Sequence, residues 1–579
     1  MEMVNIKING MSLSVPKGST ILEAARYAGI EIPTLCYLKE INEIGACRIC
    51  VVEVKGARSL VAACVYPVNE GMEIETNSPK VQQSRKLTLE LILSTHDRKC
   101  LSCVRSGNCE LQKLCKDFGV EDETYYEGEN IHYDFDDTTI HLVRDNNKCI
   151  LCRRCVAACA AQDIGVIGVA ARGFDSHVGC TFERSLSEVP CVSCGQCIVN
   201  CPTGALTEKD DTDKVWAALN DPTKTVIVQT APSIRVTLGE CFDMPIGTNV
   251  EGKMVAALRR LGFDKVFDTD LAADMTIVEE ANELVERINN GGTLPMITSC
   301  SPGWVKYCEH YFPEMIPHLS TCKSPQQMFG ALAKTWYAKR EGIDPKDLVV
   351  VGIMPCTAKK FETKRDGQDA AGVPDVDIAL TTRELGRMIG RAHLDFVNLP
   401  DEKFDDPMGE ATGAGVIFGA TGGVMEAALR TAAEWITGDT SAPVEFHEVR
   451  GTADIKEAAY QLGDLNVKVA VASGLANARE ILERVQKGEA DYQFIEIMCC
   501  PGGCVNGGGQ PVQHAVVRNF VDLRSKRAAA LYEEDANLPL RKSHENPTLQ
   551  KIYEEFLEKP GSHVAHDVLH THYVERSKY

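Results

Sequence analysis

Cysteine is the residue whose number and spacing carry the chemistry of this chain of 579 residues, which contains 25 of them. The pattern C-x2-C-x2-C-x3-C occurs twice, beginning at Cys149 and at Cys191, and is typical of loops that wrap a pair of 4Fe–4S clusters. In such a pair the fourth cysteine of each run binds the other cluster. The spacing therefore predicts one cluster on Cys149, Cys152, Cys155 and Cys201, and a second on Cys159, Cys191, Cys194 and Cys197.

Two further groups of metal-ligating side chains precede this repeat. The first has one close pair between widely spaced outer cysteines, which favours a 2Fe–2S cluster over a structural zinc site; its members are Cys36, Cys47, Cys50 and Cys64. The second combines one imidazole with three thiolates and suits either zinc or a 4Fe–4S cluster; its members are His96, Cys100, Cys103 and Cys109. Its position between two electron-transfer patterns favours the cluster.

Composition and charge narrow the class of protein. The net charge of −21 argues against general binding to nucleic acid or to anionic membranes. No unbroken apolar run is long enough to span a membrane, and the first residues lack the pattern of a signal peptide. We therefore expect a cytoplasmic protein. Because disulfides are rare in a reducing cytosol, so many cysteines indicate metal binding.

Four segments are predicted to position these residues. Residues 1–80 contain two short strands and a helix in the order of a ferredoxin-like β-grasp domain, while residues 81–125 and 140–210 carry the later cluster ligands. Residues 211–579 alternate strand-like and helical segments. The predicted fold is an α/β catalytic domain with mostly parallel sheets, preceded by α+β ferredoxin-like iron–sulfur domains.

Cysteines also follow three strand-like segments of the second half. Cys300 follows LPMITS, Cys356 follows DLVVVGIMP, and Cys500 and Cys504 follow YQFIEIM. Ligands of parallel α/β sheets sit at the carboxyl ends of strands, so these cysteines should converge on one site. The glycine run 507–509 predicts that backbone approaches this site closely.

Three motifs of this half resemble the signatures of the FeFe hydrogenases in their long clostridial form. They are TSCSPGW at 298–304, MPCTAKKFE at 354–362 and EIMCCPGGCVNGGGQP at 496–511, and FGATGGVMEAALR at 418–430 is similar too. The resemblance covers essentially the whole chain. It implies reversible reduction of two protons to H2 at an H-cluster, which is a 4Fe–4S cubane joined through a cysteine sulfur to a diiron unit with CO, cyanide and a dithiolate bridge.

The resemblance also assigns roles to residues of the pocket. Cys356, Cys500 and Cys504 match cubane ligands, with Cys504 as the bridging one, and Lys359 matches a donor to cyanide. Other matched positions are the apolar walls Met354 and Met498 and the pocket residues Ala231, Pro232, Ser233 and Gln326. The resemblance further implies that the chain ends in a helical segment like the family's small subunit.

A buried site that reduces protons needs a chain of titratable groups. The family's relay matches Cys300, Glu280, Ser320 and Glu283, with Arg287 near the surface. Without the resemblance, the two glutamates would be taken for a solvated helix face. The late histidines His563, His566, His570 and His572 are expected to be surface or packing residues, and Cys241, Cys308 and Cys322 to be core residues.

One position departs from the family pattern. Where family members have two adjacent cysteines, the first relaying protons and the second binding the cubane, this chain has Cys300 followed by Ser301. Ser301 falls on the ligand position, although a serine oxygen is a harder ligand than such clusters usually take. Alternatively, Cys300 ligates and a serine or water relays protons, or neighbouring Cys499 intervenes. The sequence leaves the fourth cubane ligand open.

The electron partner is a separate question, because no flavin or nicotinamide site is visible. Electrons could come from ferredoxin or from partner subunits that bind flavin and NAD(P). The Cys-Ser pair and the segment AHDVLHTHY favour the catalytic subunit of an electron-bifurcating complex. The alternatives are a stand-alone ferredoxin-dependent hydrogenase and a hydrogen sensor with low turnover. A respiratory-complex subunit would share residues 1–210 but not the catalytic motifs. Maturation proteins would supply the diiron unit.

Overall fold

The N-terminal residues form one sheet with a helix packed on it. The computed structural model describes residues 2–121, 130–463 and 465–578, so residues 122–125 of the predicted segment 81–125 lie outside the described residues. The elements are β1 (Met3–Ile8), β2 (Met11–Pro16), α1 (Ile21–Tyr27), β3 (Val51–Val54), β4 (Val61–Ala62) and β5 (Glu73–Glu75). The strand order is β2-β1-β5-β3-β4. Helix α1 begins at a capping box formed by Thr20 and Glu23.

Short elements carry the next cysteines. They are α2 (Pro79–Ser94), α3 (Glu110–Asp117), β6 (Leu142–Arg144), α4 (Arg154–Ala161), β7 (Ile167–Ala170), β8 (His177–Cys180), α5 (Gln196–Val199) and β9 (Leu206–Glu208). Strand β6 pairs with β9 and β7 pairs with β8, both antiparallel. Helices α4 and α5 lie against each other and hold Cys155, Cys159 and Cys197.

The second half contains two four-stranded sheets. Their strands are β10 (Thr225–Thr230), β11 (Lys265–Asp268), β12 (Met296–Ile297), β13 (Leu348–Met354), β14 (Ile378–Thr381), β15 (Ile455–Leu462), β16 (Leu465–Ser473) and β17 (Phe494–Met498). One sheet has the order β11-β10-β13-β14 and is parallel throughout. The other has the order β12-β17-β16-β15, with only the β15–β16 pair antiparallel. The three cysteine-bearing strand ends therefore belong to two sheets.

Helices surround and separate these sheets. They are α6 (Thr212–Leu219), α7 (Glu251–Leu261), α8 (Asp270–Asn290), α9 (Pro302–Tyr311), α10 (Pro325–Leu332), α11 (Ala338–Glu341), α12 (Ala358–Glu362), α13 (Thr382–Arg391), α14 (Gly413–Val416), α15 (Gly423–Thr437) and α16 (Leu475–Gln486). Helix α8 belongs to two cores: Leu271 and Met275 pack with β10 and β11, and Ile277 and Leu284 pack with β16 and β17. Burial on both sides makes α8 a fixed support for polar groups beside the site.

The last residues are part of the catalytic core. They form α17 (Ala515–Arg518), α18 (Leu523–Asn537), α19 (Pro547–Ile552) and α20 (His563–Leu569). Buried ion pairs tie helix α18 to the segment after β10 and to α15: Arg527–Glu240 is 2.6 Å long and Asp535–Arg430 is 2.8 Å long. Removing one partner of such a pair costs about 3–5 kcal/mol. The segment is thus integral to the fold.

The predicted fold class is confirmed, since an α/β unit with mostly parallel sheets follows smaller α+β units. Within the described residues, no helix is long and apolar enough to cross a membrane.

Candidate active site

A cavity lies where β12, β13 and β17 end, between the two sheets. It holds roughly 810 Å³ free of protein atoms, part of it open to solvent. All four cysteines predicted to converge line it, namely Cys300, Cys356, Cys500 and Cys504. Of the other predicted pocket residues, the walls include Ala231, Pro232, Ser301, Gln326, Met354, Lys359 and Met498. Ser233 lies behind the wall, where its Oγ accepts from Gln510 at 3.2 Å.

The glycine run 507–509 allows close contact between protein loops. A Cβ on Gly508 would collide with the carbonyl oxygen of Cys194, and one on Gly509 would lie 2.8 Å from the carbonyl carbon of Pro355. Real Cβ atoms do not come so close. The run therefore lets the Cys504 loop touch both the Cys356 loop and the loop of the ferredoxin-like repeat. The sequence predicts that the backbone of this run also approaches the site itself. Gly507 of the run lines the cavity, as does Gly503 before it.

Lys359 faces the cavity from α12. Its ammonium donates to Glu362 at 3.0 Å and to the backbone oxygen of Cys300 at 3.2 Å. Glu362 also accepts from the amide nitrogen of Gln326 at 3.0 Å. The lysine is 8% exposed, so its charge is available to an anionic group in the cavity rather than to water. Sequence reasoning quoted Glu362 within a motif but missed its part in holding Lys359 and Gln326.

Much of the remaining cavity wall is apolar. Met354 and Met498 end their strands on it and are 2% and 3% exposed. Phe418 adds an aromatic wall from the turn before α15. The sequence placed Phe418 in a family-like segment without giving it a role. A dry, polarisable wall around one lysine suits a site that stabilises bound anions.

Ser301 and Cys499 meet at one edge of the cavity. The backbone N–H of Cys499 donates to the Oγ of Ser301 at 3.3 Å. A Cβ on Gly303 would lie 2.7 Å from the Cys499 sulfur, so that sulfur occupies space which any larger residue at 303 would need. The serine, the extra cysteine and the glycine thus form one local arrangement.

Glu280 is a buried acid between Cys300 and Glu283. It is 0% exposed, and neither carboxylate oxygen has a hydrogen-bond partner among the described residues. Burial, and after it the charge of Glu283, raise its pKa to about 8. Burial together with Glu280 also raises the pKa of the Cys300 thiol well above its usual value. Near neutral pH both groups therefore favour their protonated forms.

Glu283 continues this line towards the surface. It accepts from Ser320 Oγ at 2.9 Å and from the Arg287 guanidinium at 2.6 Å. Glu280 and Glu283 both belong to α8, as their spacing predicted. The structure therefore brings Cys300, Glu280, Ser320 and Glu283 into one line, with Arg287 at its outer end.

The cluster ligands of the repeat group as their spacing predicted. One small cavity is lined by Cys149, Cys152, Cys155 and Cys201. The thiols of Cys159, Cys191 and Cys194 all act electrostatically on that of Cys197. Because Cys201 joins the first set and Cys159 the second, the fourth cysteines are exchanged between the runs. Cys194 also lines the large cavity, which puts the second set next to it.

The two outer groups of ligands also fit iron–sulfur clusters. The sulfurs of Cys50 and Cys64 are 3.3 Å apart, close enough to share one iron. Cys36 and Cys47 pair similarly, since each accepts the other's backbone N–H at 3.4–3.5 Å. In the second group, the buried Nδ1 of His96 has no hydrogen-bond partner among the described residues, which suits an atom that binds a metal.

Arg154 connects three of these ligand groups. Its guanidinium donates to the backbone oxygens of Cys36 at 3.4 Å and Tyr37 at 3.1 Å, and to Glu110 at 2.8 Å. It stands between Cys152 and Cys155, and Glu110 follows Cys109. Arg154 was given no role in the sequence analysis. Its buried, bidentate role depends on contacts across 44 to 118 residues.

The sequence predicts that Cys241, Cys308 and Cys322 are core residues and that the late histidines are surface or packing residues. Cys308 and Cys322 are buried as predicted, but Cys241 is exposed, so that prediction was wrong. His563, His566 and His572 are exposed, whereas the side chain of His570 is 7% exposed and turned inward. An isolated antiparallel β-bridge pairs His570 with Cys322 and holds it there.

Family models match most of this architecture. One described as "Iron only hydrogenase large subunit, C-terminal domain" matches residues 224–508, and "Iron hydrogenase small subunit" matches residues 521–576. "2Fe-2S iron-sulfur cluster binding domain" matches residues 1–79, and "NADH-ubiquinone oxidoreductase-G iron-sulfur binding region" matches residues 85–124.

Relatives extend the match to the full length. "NADP-reducing hydrogenase subunit HndD" of Solidesulfovibrio fructosivorans is 51% identical over 590 residues, covering 100% of both chains. "Iron hydrogenase 1" of Clostridium pasteurianum is 44% identical and covers 99% of this chain and 100% of its own. A solved variant of apo FeFe-hydrogenase HydA1 from Chlamydomonas reinhardtii has a TM-score of 0.57 at 41% identity, covering 64% of this chain and 100% of its own. The chain therefore belongs to the FeFe hydrogenases, and is an iron hydrogenase in which 2Fe–2S and 4Fe–4S binding domains precede an H-cluster domain.

Proposed function

We propose that this chain is the hydrogen-converting subunit of a cytoplasmic complex in which partner subunits bind flavin and NAD(P). The observation that carries the proposal is the 51% identity, over the whole length, to a relative named as a subunit of an NADP-reducing hydrogenase. Electron bifurcation with ferredoxin as the second electron carrier extends the same proposal. Purification from native cells tests it, because absence of any co-purifying flavoprotein would contradict the complex.

The H-cluster is assigned to the large cavity, with Cys356, Cys500 and Cys504 as thiolate ligands of the cubane and Cys504 as the bridge. When bound, it supplies the iron at which protons and electrons combine to H2. Lys359 contributes a charged donor to the anionic ligands, held in place by Glu362. Met354, Met498 and Phe418 exclude water, which strengthens this interaction.

Electrons are proposed to reach the cavity through the thiolate groups of the N-terminal domains. The 2Fe–2S group and the His96 group both adjoin the first set of the repeat through Arg154. The second set adjoins the cavity at Cys194, where Gly508 allows contact between the loops. The order is therefore two outer groups, then the first set, then the second set.

Protons are proposed to move along Cys300, Glu280, Ser320 and Glu283. The Cys300 thiol gives its proton to the cavity, Glu280, whose pKa is raised to about 8, gives its proton to the resulting thiolate, and Glu280 is then reprotonated from the Glu283 side. Neither oxygen of Glu280 is committed to a fixed hydrogen bond among the described residues, which leaves both available to these two neighbours. Arg287 keeps Glu283 oriented.

Ser301 is proposed to stand at the fourth corner of the cubane. Its support is the position on the cavity wall and the N–H donated by Cys499, as thiolate ligands of clusters commonly receive. The variants Ser301→Cys and Ser301→Ala test this in protein made without the diiron unit. We expect four irons per cubane site to be retained with cysteine and partly lost with alanine. Equal iron content in all three proteins would contradict a ligand role for Ser301, and loss in Cys499→Ala would transfer the role to Cys499.

The first functional test is hydrogen evolution from reduced viologen by protein produced anaerobically with the diiron maturation proteins. Fast evolution only in matured protein supports the enzyme. A second candidate is the hydrogen sensor, with which the Cys-Ser pair is compatible. Slow turnover with intact N-terminal cluster signals would support the sensor instead.

A further inference from the structure

The proton line described above stops at a residue that cannot release protons. Arg287 donates to Glu283 and to the backbone oxygens of Pro317, His318 and Leu319. A guanidinium remains protonated at all ordinary pH values, so it can orient Glu283 but cannot carry a proton to water. Another titratable group must exchange protons with Glu283, or Glu283 must do so directly.

The last residues of the chain place a histidine beside Glu283. The segment after α20 pairs with residues 321–323: Lys323 N donates to Leu569 O, and Thr571 N donates to Thr321 O, both at 2.8 Å. This register sets His570 opposite Cys322. One ring nitrogen of His570, one carboxylate oxygen of Glu283 and the Cys322 sulfur lie within 4.8 Å of one another.

Hydrogen bonds fix the orientation of this ring. Thr321 Oγ1 lies 2.8 Å from Nδ1, and Glu279 Oε2 lies 3.2 Å from Nε2. Glu279 is 0% exposed and also accepts from the Tyr553 hydroxyl at 2.5 Å and the Gly561 N–H at 3.0 Å. A carboxylate with these donors favours hydrogen on Nε2, which leaves Nδ1 to accept from the side of Thr321 and Glu283.

We propose that His570 is the outermost group of the proton route, exchanging protons between Glu283 and solvent while Glu279 positions it. For release of a proton, the Glu283 acid gives it to the imidazole ring, and Glu279 accepts a hydrogen bond from the imidazolium that forms. The ring then loses a proton to water at the small part of the side chain, 7%, that remains exposed. For uptake the steps reverse, so no oxidant or reductant is involved.

The groups that face His570 are consistent with this role. Helix α8 contributes Glu279 and Glu283. Residues 321–322 contribute the Thr321 hydroxyl and the Cys322 thiol, whose pKa is raised by burial. The C-terminal segment contributes the exposed His566 ring and Tyr553, which donates to Glu279. The rings of His566 and His570 are tilted against each other at 31°, with centroids 4.1 Å apart.

The inference rests on the proposed proton route, so its test includes that route. We would compare hydrogen evolution by matured wild type, His570→Gln, His570→Ala, Glu280→Gln and the exposed control His572→Gln across pH. We expect about tenfold lower kcat in both His570 variants, less than the ~10²–10⁴ of an inner proton-transfer group, because Glu283 remains partly open to water. KM for the electron donor, iron content and melting temperature should stay unchanged.

Added imidazole separates proton exchange from a structural role. It should restore much of the rate in His570→Ala, where it fits the vacated space, but not in Glu280→Gln. Unchanged kcat and pH profile in His570→Gln, or a loss in His570→Ala that imidazole does not restore, would overturn the role of His570. Full activity of Glu280→Gln would instead overturn the inner route.

Discussion

The proposed electron route and the proposed proton route reach the same cavity through regions that differ in their physical construction. On the electron side, the Cys194 loop meets the Cys504 loop at Gly508, where no side chain fits. On the proton side, Glu280 sits with both oxygens unpaired between groups that it must alternately contact. Electron transfer depends on the separation of the clusters, so rigid backbone contact serves it. Proton transfer needs groups that can change partner.

The two regions also differ in what supports them. The electron side is held by fixed charge, such as Arg154 donating to Glu110 and to two backbone oxygens. The proton side is held by burial of α8 between two sheets, which raises the pKa of Glu280 instead of pairing it. Damage to the first should alter stability and electron delivery, whereas damage to the second should alter the response to pH.

The largest effect is expected from Cys300→Ala, which removes the inner end of the proton side. Hydrogen evolution should fall by about 10²–10⁴-fold, the contribution typical of a positioned proton-transfer group. Spectra of the N-terminal clusters should not change. Cys308→Ala, another buried cysteine, is the control. If the iron content of the Cys300→Ala protein also drops, Cys300 binds the cubane and the comparison fails at this residue.

Glu280→Gln should show how the buried, unpaired carboxyl group of Glu280 makes the free energy of unfolding depend on pH. The pKa of Glu280 is raised to about 8 in the folded chain, so between its unfolded value near 4.5 and pH 8 the folded state binds more protons than the unfolded state. The free energy of unfolding of the wild type should therefore fall relative to the variant as pH rises through that range. Melting temperatures at pH 5 and pH 8.5 measure this, with Glu286→Gln as the exposed control. A difference independent of pH would show that Glu280 titrates normally.

Gly508→Ala should act on the electron side and have the smallest effect. Its Cβ would collide with Cys194, and overpacking of this kind costs about 1–3 kcal/mol. We expect a lower melting temperature and slower hydrogen evolution with an unchanged pH profile. Gly390→Ala is the matched control, because no atom lies within 4 Å of its added Cβ. A changed pH profile would mean that the two sides are not independent.

Local spacing made the electron side easier to predict than the proton side. In the runs from Cys149 and Cys191, the spacing of the cysteines alone predicts which of them share a cluster. Cys300, Cys356 and Cys500 were predicted to meet because each follows a strand, and the carboxyl ends of parallel strands lie at one edge of a sheet. That these ends belong to two sheets was not predicted, since strand order does not follow from one sequence. The pairing of Glu362 with Lys359 and the inward turn of His570 depend on packing between distant segments, which periodicity cannot report.

The position of Arg154 has a consequence for how the protein becomes loaded with iron. One guanidinium joins the backbone at Cys36, the acid after Cys109 and the loop between Cys152 and Cys155. Filling any one of these sites fixes the arginine and pre-shapes the other two. Maturation of the N-terminal half should thus be cooperative, so that a cell short of iron holds mostly complete and mostly empty copies, with few in between.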